Sequence, residues 1–203
     1  MLENKTMSAT LSRPAIPQQA KRVFQGVIFE VWQWEQEMFD GSKETFEKIW
    51  RAPGVEMLAV VGDKLILEEQ SQPDHHRFTS LPSGRVDEGE NILAAAKREL
   101  REETGYESAD WFTFATYNAS GKMVHGTHFF VSLNCTLAGS QQLDSGEHIT
   151  VRLVGFDELV ALADEEKFWI CPEFRERLIR ASLNSAVKKE LYREIFHPTH
   201  RAK

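Results

Sequence analysis

The run from Gly84 to Tyr106, GRVDEGENILAAAKRELREETGY, constrains this chain more than any other segment. Residues 90–104 lack Gly and Pro and are dense in Ala, Leu, Lys, Arg and Glu, with Gly84 and Gly89 ahead of them and Gly105 behind. Strong helix formers bracketed by glycines predict a loop, a helix over 90–104 and a second loop. At about 3.6 residues per turn, Glu99, Glu102 and Glu103 stand at i, i+3 and i+4 and share one face. Like charges so spaced repel, so the arrangement makes sense if a cation sits among them, and hard oxygen ligands imply Mg2+ or Mn2+. Leu93, Ala96 and Leu100 form a neighbouring apolar arc that should pack on a sheet, while Asn91, Ala94, Lys97 and Arg101 turn toward water.

A solvated helix laced by pairs such as Arg98 with Glu102 would have the same composition. The spacing decides against it. Gly84, five residues, Glu90, seven residues, then Arg98-Glu99-Leu100-x-Glu102-Glu103-x-Gly105-Tyr106 demands one residue type at seven positions. At about 6% usage per type, a chance match in a chain of this length is on the order of one in a million. In this setting Arg98 holds a carboxylate in place rather than contacting substrate.

Strand signals surround the helix. Val23 to Trp34 and Glu44 to Trp50 predict a hairpin turning at Asp40-Gly41. Val55 to Val61 and Lys64 to Glu69 flank Gly62-Asp63, a type II′ turn signal. Trp111 to Tyr117, Thr127 to Cys135 and Ile149 to Phe156 are three further strand candidates, Asp157 to Asp164 a short helix, and Pro172 to Phe196 contains a longer helix with Phe174, Leu178 and Ala181 at helical spacing. Strands on both sides of one central helix, with a terminal helix, predict a mixed α/β or α+β sandwich. The expected division is a mobile tail over 1–20, an amino-terminal hairpin over 21–51, a main domain over 52–165 and a helical extension over 166–203.

The formal charge of −7 argues against a nucleic-acid backbone as routine partner, while a small phosphorylated substrate stays compatible if bound cations supply the local positive charge. Cys135 and Cys171 lie far apart without metal-ligand spacing, which fits buried thiols in a reducing compartment. The opening residues hold no apolar core of a signal peptide and no later run is long enough to span a membrane, so a cytoplasmic location is expected.

The run from Gly84 to Tyr106 resembles the Nudix box, and the resemblance covers roughly residues 52–165. It implies an α/β/α sandwich around a mixed sheet and metal-dependent hydrolysis of a nucleoside diphosphate linked to another moiety. By the same resemblance Glu99, Glu102 and Glu103 are metal ligands, Glu90 an auxiliary ligand or a partner that supports one, and a carbonyl around Ser83 or Gly84 a further ligand. Leu81-Pro82-Ser83-Gly84, Glu69-Gln70 and the amino-terminal hairpin are similar to the ADP-ribose and nucleotide-sugar pyrophosphatases, a group whose amino-terminal strands form a dimer interface. Gln70-Ser71-Gln72 and Ser120-Gly121 depart from that group, which leaves the substrate open between an ADP-ribose-like compound and a nucleotide sugar.

Glu147, in Asp144-Ser145-Gly146-Glu147-His148, matches an acidic loop that contributes a catalytic glutamate in the group, against the alternative of a solvated turn residue. Arg51, Gln70 and the Gly84 backbone are the substrate-binding candidates. Trp32, Trp34 and Phe39 read as homodimer packing, and His125 and His128 stand in a second rank. A nucleoside triphosphate housecleaning enzyme and a non-catalytic nucleotide sensor are the competing functions. The intact set of box carboxylates and the absence of a basic recognition helix weigh against the sensor.

Overall fold

A computed structural model describes residues 16–119 and 121–198; the expected tail lies outside them as far as residue 15, as does Ser120. In chain order the strands are β1 (Lys21–Gln25), β2 (Phe29–Glu37), β3 (Lys43–Arg51), β4 (Gly54–Val61), β5 (Lys64–Gln72), β6 (His75–Ser80) and β7 (Ser83–Arg85). Helix α1 (Ile92–Glu99) follows, extended by a π-helical turn over Leu100–Thr104. Then come β8 (Tyr106–Glu107), β9 (Asp110–Asn118), β10 (Met123–Val124), β11 (Gly126–Leu133), β12 (Thr136–Leu137) and β13 (His148–Gly155). Helix α2 (Phe156–Ala161), strand β14 (Phe168–Trp169) and helices α3 (Pro172–Leu183) and α4 (Ser185–Phe196) close the order.

The main sheet runs β14-β6-β5-β4-β11-β9, with β13 on β5 and β7 on β4. It is mixed: β4 pairs parallel with β11 and antiparallel with β7. Strand alternation splits the core into two layers. Val55, Met57 and Ala59 of β4 meet Ala95, Ala96 and Leu100 of the helical segment, with Leu93 partly buried beside them. Leu58 and Val60 point the other way, with Phe129 and Val131, onto Leu159, Phe174, Leu178, Leu191 and Ile195 of the later helices. Helices therefore cover both faces of a mixed sheet, as the strand pattern predicts.

The hairpin over Gly62-Asp63 forms with Gly62 at φ 63° and Asp63 outside the positive-φ region, as a type II′ turn requires. Four predictions need correction. The amino-terminal segment is a three-stranded meander rather than a hairpin, broken at Gly26, and β3 also pairs with β10. Gly84 lies in a short strand, not a loop, because β4 offers it a ladder. The helix begins at Ile92, since the Asn91 side chain accepts the Leu93 and Ala94 amides as its cap. The last helix is two, because Asn184 takes an extended conformation and caps a new start by accepting from Ala186 and Val187.

One core carboxylate belongs to this packing and not to the box helix. Glu56 of β4 is 7% exposed and accepts the Cys171 amide at 3.2 and 3.1 Å, binding the sheet to the start of α3. Burial pushes its carboxyl from an ordinary 4.5 up to about 8. A raised value means the folded chain holds the proton more tightly, so this contribution to stability is full below pH 4.5 and lost as pH rises through 8. Melting temperature should therefore fall between pH 6 and 9 more steeply in the wild type than in Glu56→Gln, which keeps the acceptor and cannot ionise. The difference at pH 9 is on the order of a few kcal/mol. Parallel pH profiles for the two proteins would contradict the assignment.

Candidate functional site

The carboxylates gather where the carboxy-terminal end of the helical segment passes over β7 and the end of β5. Glu103 is 5% exposed and accepts the Ser83 amide on Oε2 at 2.9 Å, which ties the π-turn to β7. The turn itself is held by the Thr104 hydroxyl, which donates to the Leu100 carbonyl, and by Gly105 at φ 76°. A π-turn closes over one more residue than an α-turn, and such turns recur at functional sites. Here it leaves Glu103 buried against the sheet and Glu102 toward solvent.

Gly84 has a steric reason to be glycine: an added Cβ would lie 2.0 Å from Glu99 Cδ. The Glu99 side chain rests on the Gly84 backbone, space that any side chain at 84 would claim. Arg98 fixes the outer carboxylates. Its Nε and Nη2 donate to the two oxygens of Glu90 at 2.9 and 3.0 Å, a bidentate pair. Its Nη1 reaches Glu99 Oε1 at 2.9 Å and Glu102 Oε2 at 3.0 Å, and Nη2 also donates to the Arg85 carbonyl at 3.1 Å. The Arg98 hydrogen bonds hold the Glu90 carboxyl below its ordinary value, and those carboxylates raise the guanidinium's own.

The inner carboxylates behave oppositely. Burial pushes Glu99 up to about 7. Glu103 is raised well above the ordinary range, first by burial and next by the neighbouring charge of Glu68. Glu68 is itself pushed by burial to about 8, with Glu147 and Glu99 adding to the shift. Glu147 reaches this group from the 144–147 turn ahead of β13, where its amide donates to the Asp144 carbonyl at 3.0 Å and its Oε2 accepts the Asp144 amide at 3.3 Å.

Glu90, Arg98, Glu99, Glu102, Glu103, Ser83, Gly84 and Glu147 thus converge, and Ser83 contributes its amide to Glu103. Gln70 joins them, but its amide is committed: it donates to Ser80 Oγ at 2.6 Å and to Glu68 Oε2 at 3.3 Å. Arg51 stands apart. It is exposed at the end of β3, and its charge acts on His125, whose ring nitrogen lies 2.9 Å from the Ala52 carbonyl. His128 contacts Thr116. Trp34 is buried against Phe46 in its own chain, so of the three aromatics expected at an interface Phe39 is the fully exposed one.

Glu68 and Ser80 are the members that sequence reasoning missed. A signal existed: Glu68 stands two residues beyond Ile66 in Leu65-Ile66-Leu67-Glu68, so period 2 places it on the face that Ile66 buries.

Among the described residues, no three such side chains are already drawn around one point as a finished ion cage. The donor set nevertheless suits a hard divalent cation: the side chains gathered here offer carboxylate oxygens, and Glu68 Oε1 is a buried oxygen without a hydrogen-bond partner.

Comparison with known proteins finds similarity in both sequence and fold. The model of the NUDIX domain matches residues 50–172, more than half of the chain. The ADP-ribose pyrophosphatase of Bacillus subtilis (strain 168) is 26% identical over 154 residues, covering 73% of this chain and 83% of that protein. The methanol dehydrogenase activator of Bacillus methanolicus is 24% identical over 155 residues with the same coverage, 73% and 83%. A crystal structure of an ADP compounds hydrolase superposes with a TM-score of 0.66 at 18% identity, over 83% of this chain and 94% of that one.

Proposed function

The chain belongs to the Nudix family of hydrolases, and we propose that it cleaves the pyrophosphate bond of a nucleoside diphosphate linked to another moiety, an ADP-ribose-like compound or a nucleotide sugar, with Mg2+ or Mn2+. The observation that carries this reading is the gathering of Glu68 and Glu103, both buried, with half-buried Glu99 and Glu147 acting on them. A bound divalent cation would neutralise phosphate oxygens and acidify a water.

The rest falls to the chain. Glu99 and Glu103 are the inner ligands, one seated on Gly84 and the other held by the Ser83 amide. Arg98 orients Glu90 and Glu102. Glu147, on a loop, would act as the base or the orienting group for the attacking water. The relatives named for ADP-ribose and ADP compounds support an adenine-containing diphosphate as the first substrate to try. Screening ADP-ribose, nucleotide sugars, dinucleotides and nucleoside triphosphates with Mg2+, reading phosphate freed by a coupled phosphatase for the diphosphate compounds and by a coupled inorganic pyrophosphatase for the triphosphates, tests this. Release from triphosphates alone would overturn it.

We further infer a homodimer through the sheet of β1, β2, β3 and β10. Val23, Phe24, Val27, Phe29, Phe39 and Ile49 are exposed on this segment. Covering such surface is what an isologous interface does. Sedimentation at micromolar concentration should give twice the chain mass; a monomer would contradict the inference.

A further inference from the structure

Glu68 makes a demand of this site that the box helix alone does not explain. It sits on β5, directly across the ladder from Ser80, and is fully buried at 0% exposure. Gln70 holds one of its oxygens, Oε2, at 3.3 Å, while Oε1 is the one buried side-chain oxygen without a partner among the described residues. Its carboxyl lies within hydrogen-bond reach of Glu103, and the charges of Glu99 and Glu147 act on it as well. A hydrogen bond between two carboxyls exists only if one carries a proton. With both ionised, two buried like charges face each other, an arrangement that is unfavourable unless a cation takes it up.

Arg98 does not fill that role, because its donors go to Glu90, Glu99, Glu102 and the Arg85 carbonyl. Ser80 and Gln70 are already bonded to each other. Oε1 therefore has a site and no protein donor.

We propose that Glu68 is a cation ligand of this site, so that the divalent ion is gripped between β5 and the π-turn, by Glu68 and Glu103 together, and not by the box helix alone. This rests on the reading that the site holds Mg2+ or Mn2+ and deepens it. Gln70 is then a positioning residue: it fixes Oε2 and turns Oε1 inward.

The test is direct Mn2+ binding to the full-length chain without substrate, by electron paramagnetic resonance titration, beside melting temperature with and without Mn2+. Glu68→Gln should weaken Mn2+ binding by roughly 10- to 100-fold, in line with the loss of a ligand or its support. Its metal-free melting temperature should hold or rise, because a neutral amide sits buried without needing a proton or a cation. Glu68→Leu, which removes both carboxyl oxygens, gives a second measure should the amide disturb folding. Wild-type Mn2+ affinity in a folded Glu68 variant, with Glu103→Gln impaired, would overturn the role of Glu68 and leave the cation site standing. A wild-type chain that binds no Mn2+ would overturn both.

Discussion

Glu103→Gln will fold and lose at least about two orders of magnitude in kcat. The substitution keeps shape and leaves an oxygen to accept the Ser83 amide, which Glu103 now holds at 2.9 Å. It fixes in neutral form a side chain that burial and Glu68 already press to keep its proton. The metal-free protein should therefore be as stable as the wild type or more so. Activity moves the other way. An amide is a poor ligand for a hard cation, and a cation displaced by even about 1 Å at the transition state costs on the order of 100-fold. Opposite signs in stability and rate identify a functional carboxylate, since a structural one would lose both. Wild-type turnover on the best substrate of the screen, with an unchanged Mg2+ requirement, would remove the idea.

The same residue shows what the sequence discloses and what it withholds. The glycines, the helix formers and the acidic spacing place Glu99, Glu102 and Glu103 on one segment, because those signals are local and their geometry is that of one helical turn. Gly84 is legible as special, but its reason is long-range: the side chain it must avoid belongs to Glu99, fifteen positions on. Period alone predicts an α-helix to Thr104, whereas the π-turn follows from contacts of Glu103 with β7 that no single-sequence pattern carries. The π-turn divides the three carboxylates into two kinds, Glu103 buried and Glu102 paired with Arg98.

Glu68 and Glu56 mark the other limit. Each is a buried charge that follows apolar residues of its strand or interrupts them, and burial alone does not tell what such a charge does. On β4, period 2 sends Glu56 to the face of Leu58 and Val60, where it meets the Cys171 amide and anchors α3. On β5 it sends Glu68 to the face of Ile66, where it meets Glu103. The strand pattern gives the face, and only the fold gives the partner. The two amino-terminal strands legible as a hairpin likewise became part of a four-stranded sheet because β10, distant in sequence, pairs with β3. The break at Asn184 is hidden in the sequence, because helical residues continue on both sides of it.

Glu147→Gln should lower kcat by roughly 100-fold while KM and melting temperature stay near the wild-type values. The expectation rests on position. Glu147 is half-buried on a turn, outside the regular elements, with its charge acting on Glu68, Glu99 and Glu103. Its present bonds, to the Asp144 amide at 3.3 Å and carbonyl at 3.0 Å, belong to the turn, and only the first involves the side chain. That side-chain bond is long and easily exchanged, so the carboxylate is free to swing inward when a substrate arrives. An amide in its place still bonds the turn but takes up no proton from water, so substrate affinity survives and turnover does not. Glu103→Gln and Glu147→Gln then differ in kind: the first weakens Mn2+ binding, and the second leaves it intact. If Glu147→Gln instead raises KM with kcat unchanged, Glu147 binds substrate, and the proton acceptor lies among the inner carboxylates that burial already holds at raised values, Glu68, Glu99 or Glu103.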